Sequence, residues 1–119
     1  MTIDPDFARR FAAEWIEAWN AHDLERILAH YADDFEMASP VIVQVAGEPS
    51  GVLRGKANVA AYWTKALALR PDLHFTFERV LVGAQSIAIS YRGHRGASVE
   101  TFWFGADGKV VRAAAHYEP

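Results

Sequence analysis

Val99-Glu100-Thr101-Phe102-Trp103-Phe104-Gly105-Ala106-Asp107-Gly108-Lys109-Val110-Val111-Arg112-Ala113-Ala114-Ala115-His116-Tyr117 is the stretch on which the reading of this chain turns. Two largely apolar runs flank Asp107-Gly108, a dipeptide suited to a two-residue hairpin turn whose central positions need positive φ. With that turn Ala106 pairs with Lys109. Counting back sets Trp103 opposite Arg112, Glu100 opposite Ala115 and Val99 opposite His116. Side chains alternate along a strand. One face then carries Ser98, Glu100, Phe102, Phe104, Val111, Ala113, Ala115 and Tyr117. The other carries Val99, Thr101, Trp103, Val110, Arg112, Ala114 and His116. A longer loop would shift the register and exchange the faces. Neither face is polar enough to be plainly wet. Helices can cover one, and the other is expected to bury against a second copy of the chain through Val99, Thr101, Trp103, Arg112, Ala114 and His116.

Working outward, residues 73–82, 86–92, 97–104 and 109–117 read as short strands separated by turn residues, the pattern of an antiparallel meander. The N-terminal half reads differently. Asp4 is a good N-cap, Pro5 suits the first helical position, and Phe7, Phe11, Trp15 and Ala18 recur at helical spacing up to Asn20. Leu24, Ile27, Leu28 and Tyr31 form a second, short helical stripe that Asp33-Asp34 is expected to stop. Phe35, Met37 and Ser39 alternate as a strand ended by Pro40, and residues 41–46 read as further strand. A third helix is expected over residues 56–69, with Val59, Tyr62, Trp63, Ala66 and Leu67 as its apolar stripe and Pro71 closing it. Helices and strands are largely segregated, which argues for an α+β fold: three helices weighted to the N-terminal half, on a curved, mostly antiparallel sheet.

With 119 residues the chain is the size of one domain, expected to span residues 1–119. A net charge of −3 with no basic cluster argues against nucleic acid, which needs a concentrated cationic face. No apolar run approaches the ~20 residues of a membrane helix. The lack of cysteine fits a reducing cytosol, and the histidines show no metal-ligand spacing, so no metal site is expected. Aromatics make up 13% of the chain, enough both to build a core and to line a cavity for an apolar ligand.

Glu100 is the candidate for chemistry. It stands alone in an apolar strand, on the face shared with Phe102 and Phe104, where desolvation would raise its pKa and suit it to proton transfer. The competing readings pair it with an arginine such as Arg79 or Arg92, or leave it as an edge residue in water. His116 falls by register on the outer face, where a surface or interface role is the simpler one. His22 and His30 sit at helix ends, and His74 and His94 flank strands. Ser39 lacks the Gly-x-Ser-x-Gly context of an activated nucleophile. Trp15, Tyr31, Met37, Ser39, Tyr62, Trp63, Phe102 and Tyr117 are the candidate pocket lining, with Tyr62 or Tyr117 able to donate to a ligand carbonyl.

Several segments taken together resemble one family. Trp15-x-x-Ala18-Trp19-Asn20-Ala21-His22-Asp23-Leu24 and Tyr31-Ala32-Asp33-Asp34-Phe35 are similar to the opening of the SnoaL-like branch of the nuclear transport factor two superfamily. Leu53-Arg54-Gly55-Lys56 before a helix with Tyr62-Trp63 is similar too. So is Phe102-x-Phe104-x-x-Asp107-Gly108-Lys109-Val110 before His116-Tyr117. The resemblance implies a cystatin-like cone, a curved sheet closed by helices around a central pocket, often dimeric through the sheet's outer face, with no cofactor. The superfamily includes ketosteroid isomerase, polyketide cyclases, scytalone dehydratase, limonene-epoxide hydrolase and domains that only bind. Of the isomerase's three roles, the base falls on Ser39, the Tyr donor on Trp15 and the Asp donor on Glu100, so only the last keeps its chemistry. The resemblance therefore implies either an isomerase, cyclase or dehydratase acting through Glu100 on a small, largely apolar molecule, or a binding module without chemistry.

Overall fold

The computed structural model describes residues 2–119. The order is α1 (Pro5–Asn20), α2 (Leu24–Leu28), β1 (Tyr31–Ala38), α3 (Pro40–Ala46), β2 (Val52–Arg54), α4 (Lys56–Leu69), β3 (Thr76–Val82), β4 (Ser86–Gly93), β5 (Gly96–Phe104) and β6 (Val110–Tyr117). The six strands form one sheet in the order β2-β1-β6-β5-β4-β3. Only β1 and β6 pair in parallel; every other neighbour is antiparallel. The fold is α+β, as expected.

α1 begins where Asp4 Oδ1 accepts the Asp6 N–H at 3.1 Å, with Pro5 in the first turn. Its buried stripe of Ala8, Phe11, Ala12, Trp15, Ala18 and Trp19 faces the sheet. Phe11 meets Phe102 edge-on at 4.9 Å between ring centres, and Trp15 meets the same ring at 5.3 Å. Each fully buried ring contributes roughly 1.5–3 kcal/mol relative to exposure. At its C-terminal end Asn20 clasps the chain before β3: its Nδ2 donates to the Phe75 carbonyl at 2.9 Å and its Oδ1 accepts the Phe75 N–H at 2.7 Å. His22, at φ 54°, adds a 2.8 Å ring-nitrogen contact to the Leu73 carbonyl oxygen. Together they hold Leu73 and Phe75 against the helix.

The described residues form four helices rather than three, because residues 41–46 are helical and not strand. The β-branched run Val41-Ile42-Val43 favours a strand, but the end signals prevail. Ser39 Oγ accepts the Val41 N–H at 3.1 Å, Pro40 fits the first turn, and Gly47 closes the helix at φ 69°. A second correction concerns Tyr31. α2 ends at Leu28, and Tyr31 opens β1 instead of closing the helix. Asp33 and Asp34 do not stop a helix; they lie exposed within β1, where the pairing with β6 is irregular.

The β5–β6 hairpin has the expected pairs Val99 with His116, Glu100 with Ala115 and Trp103 with Arg112. Its turn differs. Of Asp107 and Gly108 only Gly108 has positive φ, at 79°, and Gly105 pairs with Lys109 through a 2.8 Å N–H to carbonyl bond. The loop is one residue longer than expected, so Phe104 pairs with Val110. An irregularity before Arg112 absorbs the extra residue and restores the register. The cost falls on the valines: Val110 is fully buried and Val111 is 41% exposed, the reverse of the simple alternation.

Candidate functional site

The helices and the concave face of the sheet enclose a cavity of about 250 Å³. Trp15 and Trp19 reach it from α1, Met37 from β1, Tyr62 and Trp63 from α4, and Tyr91 from β4. Glu100 of β5 and Tyr117 of β6 form part of the same wall.

Glu100 is 4% exposed. Among the described residues no arginine pairs with it; Tyr91 donates its hydroxyl to Oε1 at 3.1 Å. Burial drives the carboxyl pKa up to about 7, and the Tyr91 hydrogen bond moderates the rise. The surrounding phenols are pushed up as well, which carries them further from neutrality. Burial, reinforced by the nearby Glu100 charge, raises Tyr91 and Tyr31 far above the usual phenol value and Tyr117 to about 12. Burial also raises Tyr62, while the Ser39 hydroxyl beside Tyr62 and Tyr117 offsets part of the rise at both. These phenols stay protonated at neutral pH and can serve as hydrogen-bond donors. The site thus combines one carboxyl able to change charge near neutrality with several fixed O–H dipoles.

Residues 12–117 match the SnoaL-like domain family. The chain belongs to this family. A SnoaL-like protein of unknown function from Burkholderia thailandensis is 57% identical over 100% of both chains, with a TM-score of 0.95. A protein of unknown function with a cystatin-like fold from Methylobium petroleophilum is 19% identical, with a TM-score of 0.77 over 100% of this chain and 80% of that one. A candidate polyketide cyclase from Streptomyces antibioticus is 20% identical, with a TM-score of 0.73 over 93% of this chain and 91% of that one. The last two likenesses concern the fold alone. No curated protein sequence matches the chain.

Within this SnoaL-like domain the structure brings Trp15, Met37, Ser39, Tyr62, Trp63, Glu100 and Tyr117 together around one cavity. Tyr31 and Phe102, named with them from the sequence, do not line it. Both are at most 1% exposed and stand behind the wall, where Tyr31 accepts the Trp15 Nε1–H at 3.0 Å and Phe102 packs on Phe11 and Trp15. Ser39 borders the cavity, but its hydroxyl caps α3. His116 lies exposed on the outer face, its Nδ1 3.4 Å from the Val99 carbonyl oxygen. Among the described residues no group of three or more His, Asp or Glu side chains is arranged to hold a metal ion. No helix among them is long and apolar enough to cross a membrane.

Sequence reading missed Tyr91, and it missed Arg70, His94 and Arg95, which border the cavity at its rim. A signal for Tyr91 exists: pairing Gly93 with Gly96 sets Tyr91 opposite Ser98, on the same face as Glu100. No periodicity marks the rim residues, because a helix end and a hairpin turn bring them together from distant parts of the chain.

Proposed function

We propose that this domain binds a small, largely apolar molecule in the central cavity and that Glu100 moves a proton on it, in an isomerase- or cyclase-type reaction. The observation that carries the reading is the state of Glu100: buried, on the cavity wall, hydrogen-bonded by one phenol and by no cation. A structural carboxylate in such a place would normally be matched by an arginine. A group titrating near neutrality can take a proton from carbon and return it, since efficient acid–base catalysis needs a pKa near the working pH. The carboxylate form would remove a proton α to a carbonyl. Electrons would then collect on the carbonyl oxygen, where the Tyr62 or Tyr117 hydroxyl could donate to it. The protonated Glu100 would return the same proton at another carbon, so the substrate is rearranged with no net loss of atoms.

The test uses 2-tetralone, an aromatic ketone with acidic α-protons, in deuterated buffer. The protein should accelerate deuterium incorporation above the buffer rate, and Glu100→Gln should return it to that rate. Equal exchange by both proteins would refute the assignment. The second reading, a binding module without chemistry, draws on Ser39, the residue on which the resemblance puts the isomerase base, which is no base and whose oxygen serves as a helix cap. Binding of 2-tetralone with no accelerated exchange would favour it.

We extend the proposal to a homodimer formed through the outer sheet face. Leu81, Ala88, Thr101 and Ala114 align across four strands there as a shallow, mostly apolar band flanked by exposed Val99 and Val111. A second copy packed on the band would cover it.

A further inference from the structure

The cavity has two electrostatically different ends. Its inner wall holds Glu100 among phenols and indoles, whereas its rim carries Arg70, at the C-terminal end of α4, and His94 and Arg95, in the β4–β5 turn. Among the described residues Glu100 is the only acidic one that lines the cavity. The positive charges of Arg70 and Arg95 both reach His94 and, after burial, lower its pKa, so the imidazole is a neutral hydrogen-bonding group at neutral pH.

The rim arginines are incompletely used. Arg70 spends one terminal nitrogen on Asp72 at 3.2 Å, and its Nε–H is buried with no partner among the described residues. Arg95 contacts Gln44 Oε1 at 3.3 Å and lies 5.6 Å from the centre of the Tyr117 ring, so its guanidinium stands beside the cavity wall. That Nε–H is closed off from the cavity, so it is the partly exposed terminal nitrogens of Arg70 that a ligand can reach, and a guanidinium fork matches a carboxylate.

We propose that the ligand of this cavity is an aromatic or alicyclic acid: an apolar ring body seated among Trp15, Trp63 and Phe75, with one carboxylate held at the rim by Arg70 and Arg95. The orientation follows from charge. A carboxylate pushed inward would meet Glu100 without a cation to balance the pair, whereas at the rim it meets two guanidinium groups against the single carboxylate of Asp72, which leaves a net positive charge. The size follows from volume. A 150 Å³ apolar cavity holds benzene, so about 250 Å³ suits one substituted ring or two fused rings. The proposal rests on the cavity being the ligand site, and it holds whether or not Glu100 performs chemistry.

The experiment compares 2-naphthoate with the neutral, near-isosteric 2-naphthamide, by quenching of tryptophan fluorescence at about pH 8, where the acid is ionised and histidine is neutral. The wild type should bind the naphthoate about tenfold more tightly than the amide. Arg70→Gln and Arg95→Gln should each weaken naphthoate binding and leave the amide unchanged, which also shows that the variants are folded. Glu100→Gln should keep the preference for the acid. Equal affinity for the two probes, failure of both to bind, or equal loss of both in the arginine variants would overturn the proposal. A retained acid preference with no proton exchange on 2-tetralone would leave this proposal standing and remove the catalytic one.

Discussion

The Tyr91 hydroxyl meets Glu100 Oε1 at 3.1 Å because the two residues sit diagonally on one face of the β4–β5 pair, where Tyr91 is opposite Ser98 and Ile89 is opposite Glu100. The bond favours the charged carboxylate, since a phenol can only donate to it at neutral pH. Removing the hydroxyl by Tyr91→Phe takes away a stabilising contact to the ionised form, worth on the order of 1.5–3 kcal/mol. Glu100 should then titrate at least about one pH unit higher. Following the Glu100 carboxyl carbon by NMR across a pH series checks this, and an unchanged midpoint would show that the hydrogen bond has no hold on the carboxyl.

The same carboxyl writes itself into stability. Its folded pKa of about 7 lies above the ordinary carboxyl value of 4.5, so between these values the folded state holds a proton that the unfolded chain has lost. Stability contributed by this group is therefore full below about pH 4.5, declines as pH rises, and is flat above about 7. The total decline is on the order of 3 kcal/mol. Burial lowers His30 and His94, which act in the opposite direction below their ordinary range. The difference between wild type and Glu100→Gln isolates Glu100. Urea unfolding across this range should show the wild type losing stability relative to the variant as pH rises, and parallel curves would contradict the buried titration.

Much of the cone is legible from the chain, and particular residues show why the rest is not. Glu100 is readable because a lone carboxylate in an apolar strand stands out and the hairpin register sets its face. That register survives an error in the turn: the extra loop residue and the irregularity before Arg112 cancel, and only Val110 and Val111 betray the mistake. α3 is hard to read because its Val41-Ile42-Val43 run favours a strand while Ser39-Pro40 and Gly47, also present in the sequence, favour a capped helix. Tyr31 and Phe102 show a different limit. Periodicity tells inside from outside, but it does not tell a cavity wall from the layer behind it. Arg70, His94 and Arg95 meet only through the tertiary fold.

Tyr31 has a role of its own behind that wall. Its hydroxyl accepts the Trp15 Nε1–H at 3.0 Å, and both side chains are 1% exposed. Either single change, Trp15→Phe or Tyr31→Phe, strands a buried polar group and should cost about 1–3 kcal/mol, with the indole change adding a packing loss. The double variant removes both polar ends together. Its cost should fall short of the sum of the singles by about 1 kcal/mol in chemical unfolding. Strict additivity would mean that the pair is not coupled.

Val111 offers the sharpest test of the outer face, because the irregularity that turns it outward leaves it 41% exposed and exchanges it for Val110 in the core. If a second copy covers this face, an aspartate at position 111 would carry an unpaired charge into a dry interface, at a cost of several kcal/mol to association. In a monomer the same change would touch only water and shift stability by about 0.5 kcal/mol or less. Sedimentation at micromolar concentration should therefore show a dimer for the wild type and a folded monomer for Val111→Asp. A monomeric wild type would leave the valine as an ordinary surface side chain and end the interface proposal. A dimer that tolerates the aspartate would move the interface elsewhere.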